Sequence, residues 1–364
     1  MHFHFPVPTN LHFKMHIPIY DETKISVVRL NVNKQKTSDI SYFSAVSDSK
    51  AFLDENQSNL YHMHIGTHSG IVGLSQSDNL QQCQNLYSIF IPSCVSAISA
   101  YAFAGSSGLT NLYTAAKTIG NFAFAGCAGL KKAEIRSGTE VLGNQAFVQC
   151  ENLEEVLLPD DIITIGSYAF TNCVSLHSVN IPKSLTEIPY GMFIRNSSLL
   201  SITIPDNIVT IGTAAFSECT GLTYVNIGNG VRTIKESAFN ECNGLTSITI
   251  PENVETIENS VFMNCENLTS AYILGNVSTL CHDLFGQTNL SEFVIPESVT
   301  RIESKVFSCN PLTSIIIPSN VTYMDSSAFY QCNSLVSITV DKPQDSLSGS
   351  PWGATNATVT WDGV

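Results

Sequence analysis

Charged residues are scarce in this sequence, and basic residues are the scarcest of them. Only 13% of the 364 residues are charged, and 17 Lys and Arg stand against 31 Asp and Glu, which gives a net charge of −14. A nucleic-acid binder needs a basic surface that displaces counterions, and docking on an anionic membrane needs one as well. We therefore expect neither nucleic acid nor an anionic membrane surface as a partner.

Long apolar runs and catalytic motifs are also missing. No stretch approaches the ~18 uninterrupted apolar residues of a membrane helix, so we expect no direct membrane insertion. The first residues lack the basic start, apolar centre and small-residue cleavage site of a secretion signal, which favours a location inside the cell. The sequence contains no GxSxG, no P-loop and no GxGxxG after a strand. We expect a non-catalytic protein without a cofactor or a bound metal.

What the sequence does contain is one motif repeated along most of its length. Leucines that open short apolar runs recur in steps of 21 to 23 residues. A period of 20–29 residues with one short strand per unit is typical of leucine-rich repeats. The twelve leucines are Leu86, Leu109, Leu130, Leu153, Leu176, Leu199, Leu222, Leu245, Leu268, Leu290, Leu312 and Leu335.

One unit shows how the repeat is built. The run 248–250 alternates and is rich in β-branched residues, which predicts a strand, and Pro251 ends it because proline cannot donate to the ladder. The chain then turns, buries Val254 and Ile257, and passes Phe262 before the next unit begins. We predict a β-rich solenoid of the α/β type, a right-handed superhelix or horseshoe. It has one parallel β-sheet on the concave side and short turns or helical turns on the convex side.

Phenylalanine and cysteine each recur at one place in the repeat. The Phe column predicts a stacked aromatic core. It comprises Phe103, Phe124, Phe147, Phe170, Phe193, Phe216, Phe239, Phe262, Phe285, Phe307 and Phe329. The cysteines three residues later predict buried free thiols, with one or two disulfides or a metal as alternatives. They are Cys83, Cys127, Cys150, Cys173, Cys219, Cys242, Cys265 and Cys332, and we assign Cys309 to the same column.

Strings such as IPENVETIENSVFMNCENLTS and IPDNIVTIGTAAFSECTGLTYVNI carry a resemblance to a known family. They resemble the BspA-like leucine-rich repeats over roughly residues 79–340, with Pro, Ile-Gly, Ala-Phe and Cys recurring together. The resemblance implies a cell-surface or secreted protein that adheres to host or matrix proteins or to other cells. The alternative is an intracellular protein-interaction scaffold of the same fold, which the missing secretion signal favours.

The repeat boundaries divide the chain into four parts. We predict an irregular N-terminal segment (1–59) and an N-terminal cap or degenerate repeat (60–80). The array of about twelve units (81–340) follows, and then a C-terminal linker and capping strand (341–364) that places Trp352 over the last layer.

The outward residues of the strands are the predicted binding site. In the middle of the array they are polar and uncharged with projecting tyrosines, a composition typical of adaptable protein-binding surfaces. Tyrosine rings also suit glycans, and Ser and Thr also suit any exposed strand. We predict a monomer that binds a protein, or a glycan, and consider Tyr224, Asn226 and Tyr272 the strongest candidates. The full set is Tyr113, Ser178, Asn180, Ser201, Thr203, Tyr224, Asn226, Ser247, Thr249, Ser270 and Tyr272.

Three other groups could carry chemistry. Histidines on one strand face could hold zinc, paired carboxylates can hydrolyse glycosides, and an acidic row can bind calcium. We favour a solvated or capping segment for the histidines, an open sheet without catalysis for Glu134 and Glu155, and a solvated rim for the row. The histidines are His2, His4, His12, His16, His62, His64 and His68, and the row is Asp160, Asp206, Glu252 and Glu297.

Overall fold

A computed structural model describes residues 40–43, 62–65, 84–344 and 346–362. Each repeat forms one layer, named below by its opening leucine. A first row of strands, the long row, follows that leucine. It consists of β1 (Ile40–Phe43), β2 (His62–Ile65), β3 (Ser88–Ile91), β5 (Asn111–Thr114), β7 (Lys132–Ile135), β9 (Glu155–Leu157), β11 (Ser178–Val179), β13 (Ser201–Ile204), β15 (Tyr224–Ile227), β17 (Ser247–Ile250), β19 (Ser270–Ile273), β22 (Ser314–Ile317), β24 (Ser337–Val340) and β25 (Thr358–Trp361).

A second row of two-residue strands, the short row, runs along another side of the stack. The first residue of each short strand, most often threonine, is partly or fully exposed, and the second residue is apolar and buried. These strands are β4 (Ala97–Ile98), β6 (Thr118–Ile119), β8 (Val141–Leu142), β10 (Thr164–Ile165), β12 (Glu187–Ile188), β14 (Thr210–Ile211), β16 (Thr233–Ile234), β18 (Thr256–Ile257), β20 (Thr279–Leu280), β21 (Arg301–Ile302) and β23 (Tyr323–Met324).

Neighbouring strands are parallel and pair in repeat register. Ser201 lies opposite Tyr224 and Thr203 opposite Asn226, so each position of one layer stacks on the same position of the next. In the 22-residue repeats Thr279 pairs with Arg301, so the register follows the length of the local repeat. The predicted stack of parallel strands is confirmed.

The expectation of one sheet is wrong in detail. The strands form two rows, and both rows are divided into segments. The long row is interrupted after β11, β15 and β19, and the short row after β10 and β18. The spacing of leucines did not indicate the second row, because two residues are too few to produce a visible alternation.

The expected helical turns are absent, since no residue of the described chain is helical. The turn around Phe103 shows why. Tyr101 and Gly105 have positive φ angles of 61° and 71°, whereas an α-helix needs an unbroken run of negative φ. The Phe103 N–H donates to the carbonyl of Ala123 in the next layer at 2.8 Å instead of to its own turn. Backbone hydrogen bonds to the next layer therefore alternate with bonds inside the turn, such as that from the Ala104 N–H to the Tyr101 carbonyl at 3.1 Å.

The Phe column forms the centre of the core, as predicted. All eleven rings are fully buried. Successive rings stack nearly parallel, from 5.1 Å between Phe103 and Phe124 to 6.2 Å between Phe285 and Phe307. Each ring removes a large apolar area from water and contacts the rings above and below.

The ten described cysteines are free thiols, and six lie fully buried in one column. Each of these donates its S–H to the phenylalanine carbonyl of the preceding layer, as Cys219 does to Phe193 at 3.0 Å. Placing Cys309 in this column was wrong. Cys309 is exposed and has a φ of 62°. The buried residue at the column position of that layer, three residues after Phe307, is Asn310. Cys83 lies outside the described residues.

Alkaline pH should loosen this column. Burial raises the pKa of Cys219 from 9.0 to about 12, so its thiol stabilises the fold below about pH 9 and that contribution is lost as the pH rises towards about 12. We expect the unfolding free energy from urea titrations to fall across this window. In Cys219→Ala the slope should be shallower by at most about 1.4 kcal/mol per pH unit. Identical slopes for the two proteins would contradict a buried protonated thiol.

Candidate binding face

The outward side chains of the long row form what we call the open face. Along each strand inward residues are buried and outward residues are accessible, as in β13, where Ile202 and Ile204 are buried and Ser201 and Thr203 are exposed. This alternation follows from the period of two along a strand. Because the layers are in register, outward residues at the same position of the repeat line up across the face.

The central strip of the open face runs from the Leu176 layer to the Leu268 layer and carries no charge. Tyr224 and Tyr272 project from it with 59% and 56% of their surface exposed. Thr203 stacks on Asn226, and Thr249 stacks on Tyr272. The strip comprises Ser178, Asn180, Ser201, Thr203, Tyr224, Asn226, Ser247, Thr249, Ser270 and Tyr272, and most of these side chains are exposed.

Asn180 differs from the rest of the strip. Its amide accepts a hydrogen bond from the Leu158 N–H at 2.8 Å and donates one to the Leu158 carbonyl at 2.7 Å. The side chain thus takes the place of a neighbouring strand at Leu158 and is half-buried. The β9–β11 pairing stops at Val179. Sequence spacing places Asn180 on the face correctly but does not reveal that its amide is already hydrogen-bonded.

Tyr113 lies apart from the strip, in a charged part of the open face. The Arg136 guanidinium is 5.9 Å from the Tyr113 ring centroid and also donates to Glu134 at 2.8 Å. Lys132 pairs with Glu155 at 3.0 Å, and that hydrogen bond raises the pKa of the Lys132 ammonium. Glu134 and Glu155 are therefore each paired with a cation on an open surface, without the enclosed pocket that acid catalysis by a carboxyl group requires.

The two aspartates of the acidic row, Asp160 and Asp206, each have a hydrogen-bond partner of their own. Asp160 accepts a hydrogen bond from Lys183 Nζ at 2.6 Å, which lowers the pKa of that carboxyl, and Asp206 accepts one from the Asn229 N–H at 2.7 Å. Among the described residues no three His, Cys, Asp or Glu side chains gather as metal ligands would. The side chains of the N-terminal histidines lie outside what the structure describes.

A groove of about 350 Å³ opens between β10 and β12, a feature that the repeat pattern did not predict. In neighbouring layers Gly166 and Gly212 donate their N–H to the layer before, at 2.7 and 2.9 Å. Pro189 stands at that position in the Leu176 layer and has no N–H to donate, so the short row separates there. Glu187 and Tyr190 are the titratable residues lining the groove, and Glu187 is paired with Lys235 at 3.0 Å.

The open face also carries three exposed apolar residues that the predicted binding site did not include. Leu274, Val294 and Ile316 are 58%, 83% and 59% exposed, at outward positions between buried neighbours. The signal was present in the sequence, because each occupies a place where most other layers carry a polar residue or proline. Within the described residues no helix is long and apolar enough to cross a membrane.

Comparison with known families gives one match. Residues 76–199, 186–310 and 244–350 match the model of the BspA type leucine rich repeat region. A comparison with curated proteins gave no match.

Several solved structures with a similar fold come from bacteria. A leucine-rich repeat protein from Bacteroides ovatus is 25% identical with a TM-score of 0.52, over 73% of this chain and 64% of that one. This chain therefore spans somewhat less than two thirds of that protein. A leucine rich cell surface protein from Faecalibacterium prausnitzii is 23% identical (TM-score 0.45; 91% and 97% covered), and the pneumococcal vaccine antigen PcpA is 19% identical (TM-score 0.46; 93% and 98% covered).

Proposed function

This chain belongs to the BspA-type leucine-rich repeat family, and on that premise we propose that it is a non-catalytic binding module whose open face adheres to a protein or a glycan. Solenoids of stacked repeats use the extended surface that stacking creates for binding. The family resemblance supports presentation at the cell surface or secretion.

The observation that carries the proposal is the central strip. Most of its hydroxyl and amide groups are exposed over five successive layers, and two tyrosines project from it. Tyrosine supplies a large, rigid contact area, and Ser, Thr and Asn supply adaptable hydrogen bonds. Exposed side chains such as these contribute little to the stability of the fold. Their arrangement on one face therefore favours a role in recognition.

Removing both projecting rings tests the proposal. We expect Tyr224→Ala with Tyr272→Ala to weaken binding at least about tenfold, because aromatic residues dominate binding surfaces. Binding would be measured on purified matrix proteins and on a glycan array. The unfolding free energy should change by less than about 0.5 kcal/mol for each exposed substitution.

A matched control removes two exposed tyrosines from other sides of the stack, Tyr190→Ala with Tyr330→Ala, which are 42% and 46% exposed. This variant should bind as the unaltered protein does. If the control lost binding and the strip variant kept it, the open face would not be the binding site. Selective binding to protein or to glycan spots decides between the two ligand classes.

A further inference from the structure

The apolar patch, defined as Tyr272, Leu274, Val294 and Ile316, shares Tyr272 with the central strip and continues along the open face beyond it. It spans three successive layers, and each of its side chains is more than half exposed. The layers are in register, since Thr279, Arg301 and Tyr323 pair in sequence along the short row. Tyr272, Val294 and Ile316 occupy the same outward position of the repeat in these three layers, and Leu274 follows two residues after Tyr272, so the four side chains form one apolar patch.

The backbone beneath the patch is unlike that of other layers. Residues 292–295 form no strand, and none of their backbone groups makes a hydrogen bond to the layers on either side. Phe293 and Ile295 nevertheless remain buried, at 7% and 4% exposure, so the layer keeps its place in the stack. Val294 is consequently held outward, at 83% exposure the most exposed large apolar residue of the described chain.

On the open face, the charge beside the patch is of one sign. No Lys or Arg occurs between Lys235 and Arg301, whereas nine Asp and Glu do. Of these nine, Asp283 lies 2.9 Å from Nε2 of His282. Glu292 is exposed two residues before Val294 and therefore on the same face, and Glu297 is exposed in the turn that follows. A positively charged partner on the open face would meet no like charge beside the patch, because the exposed Arg301 lies in the short row.

We propose that the apolar patch and its acidic border bind a segment of a partner protein that carries apolar side chains among lysines or arginines. The patch supplies apolar area to be buried on binding. The unpaired carboxylates attract and orient the cationic residues, an effect that acts mainly on specificity and association rate. This inference rests on the proposed function of the open face and adds the chemistry of the partner.

Three short fluorescent peptides of equal leucine content test the proposal, with lysine, serine or glutamate at the remaining positions. Fluorescence anisotropy with the full chain should show that the lysine peptide binds at least about tenfold more tightly than the glutamate peptide. Raising NaCl from about 0.05 M to about 0.5 M should weaken the binding of the lysine peptide, because salt screens exposed charges.

Two variants locate the binding. We expect Val294→Ser with Ile316→Ser to weaken the binding of the lysine peptide at least about tenfold. Glu292→Gln should weaken the binding of the lysine peptide but not that of the serine peptide. The matched controls are Val209→Ser with Ile163→Ser, which are exposed on the short-row side of the stack, and Glu151→Gln, an exposed carboxylate far from the patch. The controls should bind as the unaltered protein does.

The outcomes separate this inference from the proposed function. No binding of the lysine peptide, or equal binding of all three peptides, overturns the inference, and so does a lysine peptide whose binding survives the patch substitutions. If that peptide instead responds to Tyr224→Ala, the open face still binds but the partner chemistry is wrong. Loss of lysine-peptide binding in the Val209 and Ile163 control would overturn the inference, because the peptide would then bind the short-row side, whereas the proposed function would still be decided by the Tyr224 and Tyr272 variant.

Discussion

Phe216→Asp is expected to destabilise the chain by more than about 4 kcal/mol and to split its melting transition in two. Removing a buried phenylalanine ring costs about 3–5 kcal/mol, and the carboxylate would add the cost of burying an unpaired charge. Phe216 is fully buried between Phe193 and Phe239, at 5.4 and 5.3 Å between ring centroids. Because each layer contacts only its neighbours, the two sides of the damaged layer should melt separately.

Calorimetry and urea unfolding measure this effect, and Tyr224→Asp provides the control. Tyr224 lies in the adjoining layer but is 59% exposed, so its replacement should change the unfolding free energy by less than about 0.5 kcal/mol. A Phe216→Asp protein that melts once, at the original temperature, would show that the aromatic column does not hold the stack together.

Trp352→Ala should cost about 3–5 kcal/mol, because it empties a large buried site at the end of the stack. The Trp352 side chain is fully buried, its indole N–H donates to the Ser348 carbonyl at 2.8 Å, and its ring lies 6.3 Å from that of Trp361. Its backbone carbonyl accepts from the Phe329 N–H at 2.9 Å, which continues the bonding between layers past the last phenylalanine.

Hydrogen exchange locates the damage in Trp352→Ala. We expect faster exchange in β24 and β25, whose parallel pairing depends on the cap, and little change near β5, many layers away. The half-buried Trp361 supplies the comparison, and Trp361→Ala should cost less. Equal losses in the two variants would mean that Trp352 has no special role as a cap.

The sequence predicted the contents of the core well. The recurrence of Leu and Phe identified which residues point inward, and burial follows directly from that periodicity. Pro251 and its equivalents marked the strand ends for a reason that holds in any sheet. The outward residues of the open face could be listed for the same reason, since inward and outward positions alternate.

Features that depend on contacts between layers could not be read from one repeat. The positive φ at positions such as Gln145 and Glu218 has no marker in the sequence, because neither residue is a typical left-handed one. Their conformation is imposed by hydrogen bonds to the next layer. Asn180 was similar, since its sequence position shows an outward amide but not the unpaired backbone of Leu158 that it binds.

Two local departures from the repeat carried information that periodicity alone did not reveal. Pro189 replaces the glycine of neighbouring layers, and the missing N–H opens the groove between β10 and β12. Cys309 and Asn310 stand in a repeat shortened by one residue, so counting cysteines placed the wrong side chain in the core. In the first case one substituted residue removes a hydrogen bond, and in the second case one missing residue shifts the register.

Proximity of thiols across the open face tests most directly whether successive repeats lie in register. Thr203 and Asn226 are paired neighbours, whereas Thr203 and Thr249 stand two layers, about 10 Å, apart. Cysteine pairs at these positions would be treated with dibromobimane, which fluoresces when it bridges two adjacent thiols, in a background with serine at Cys83, Cys94, Cys281 and Cys309. Strong fluorescence for Thr203→Cys with Asn226→Cys and little for Thr203→Cys with Thr249→Cys is the expected result. Equal signals, or a stronger signal from the distant pair, would contradict the stacked open face.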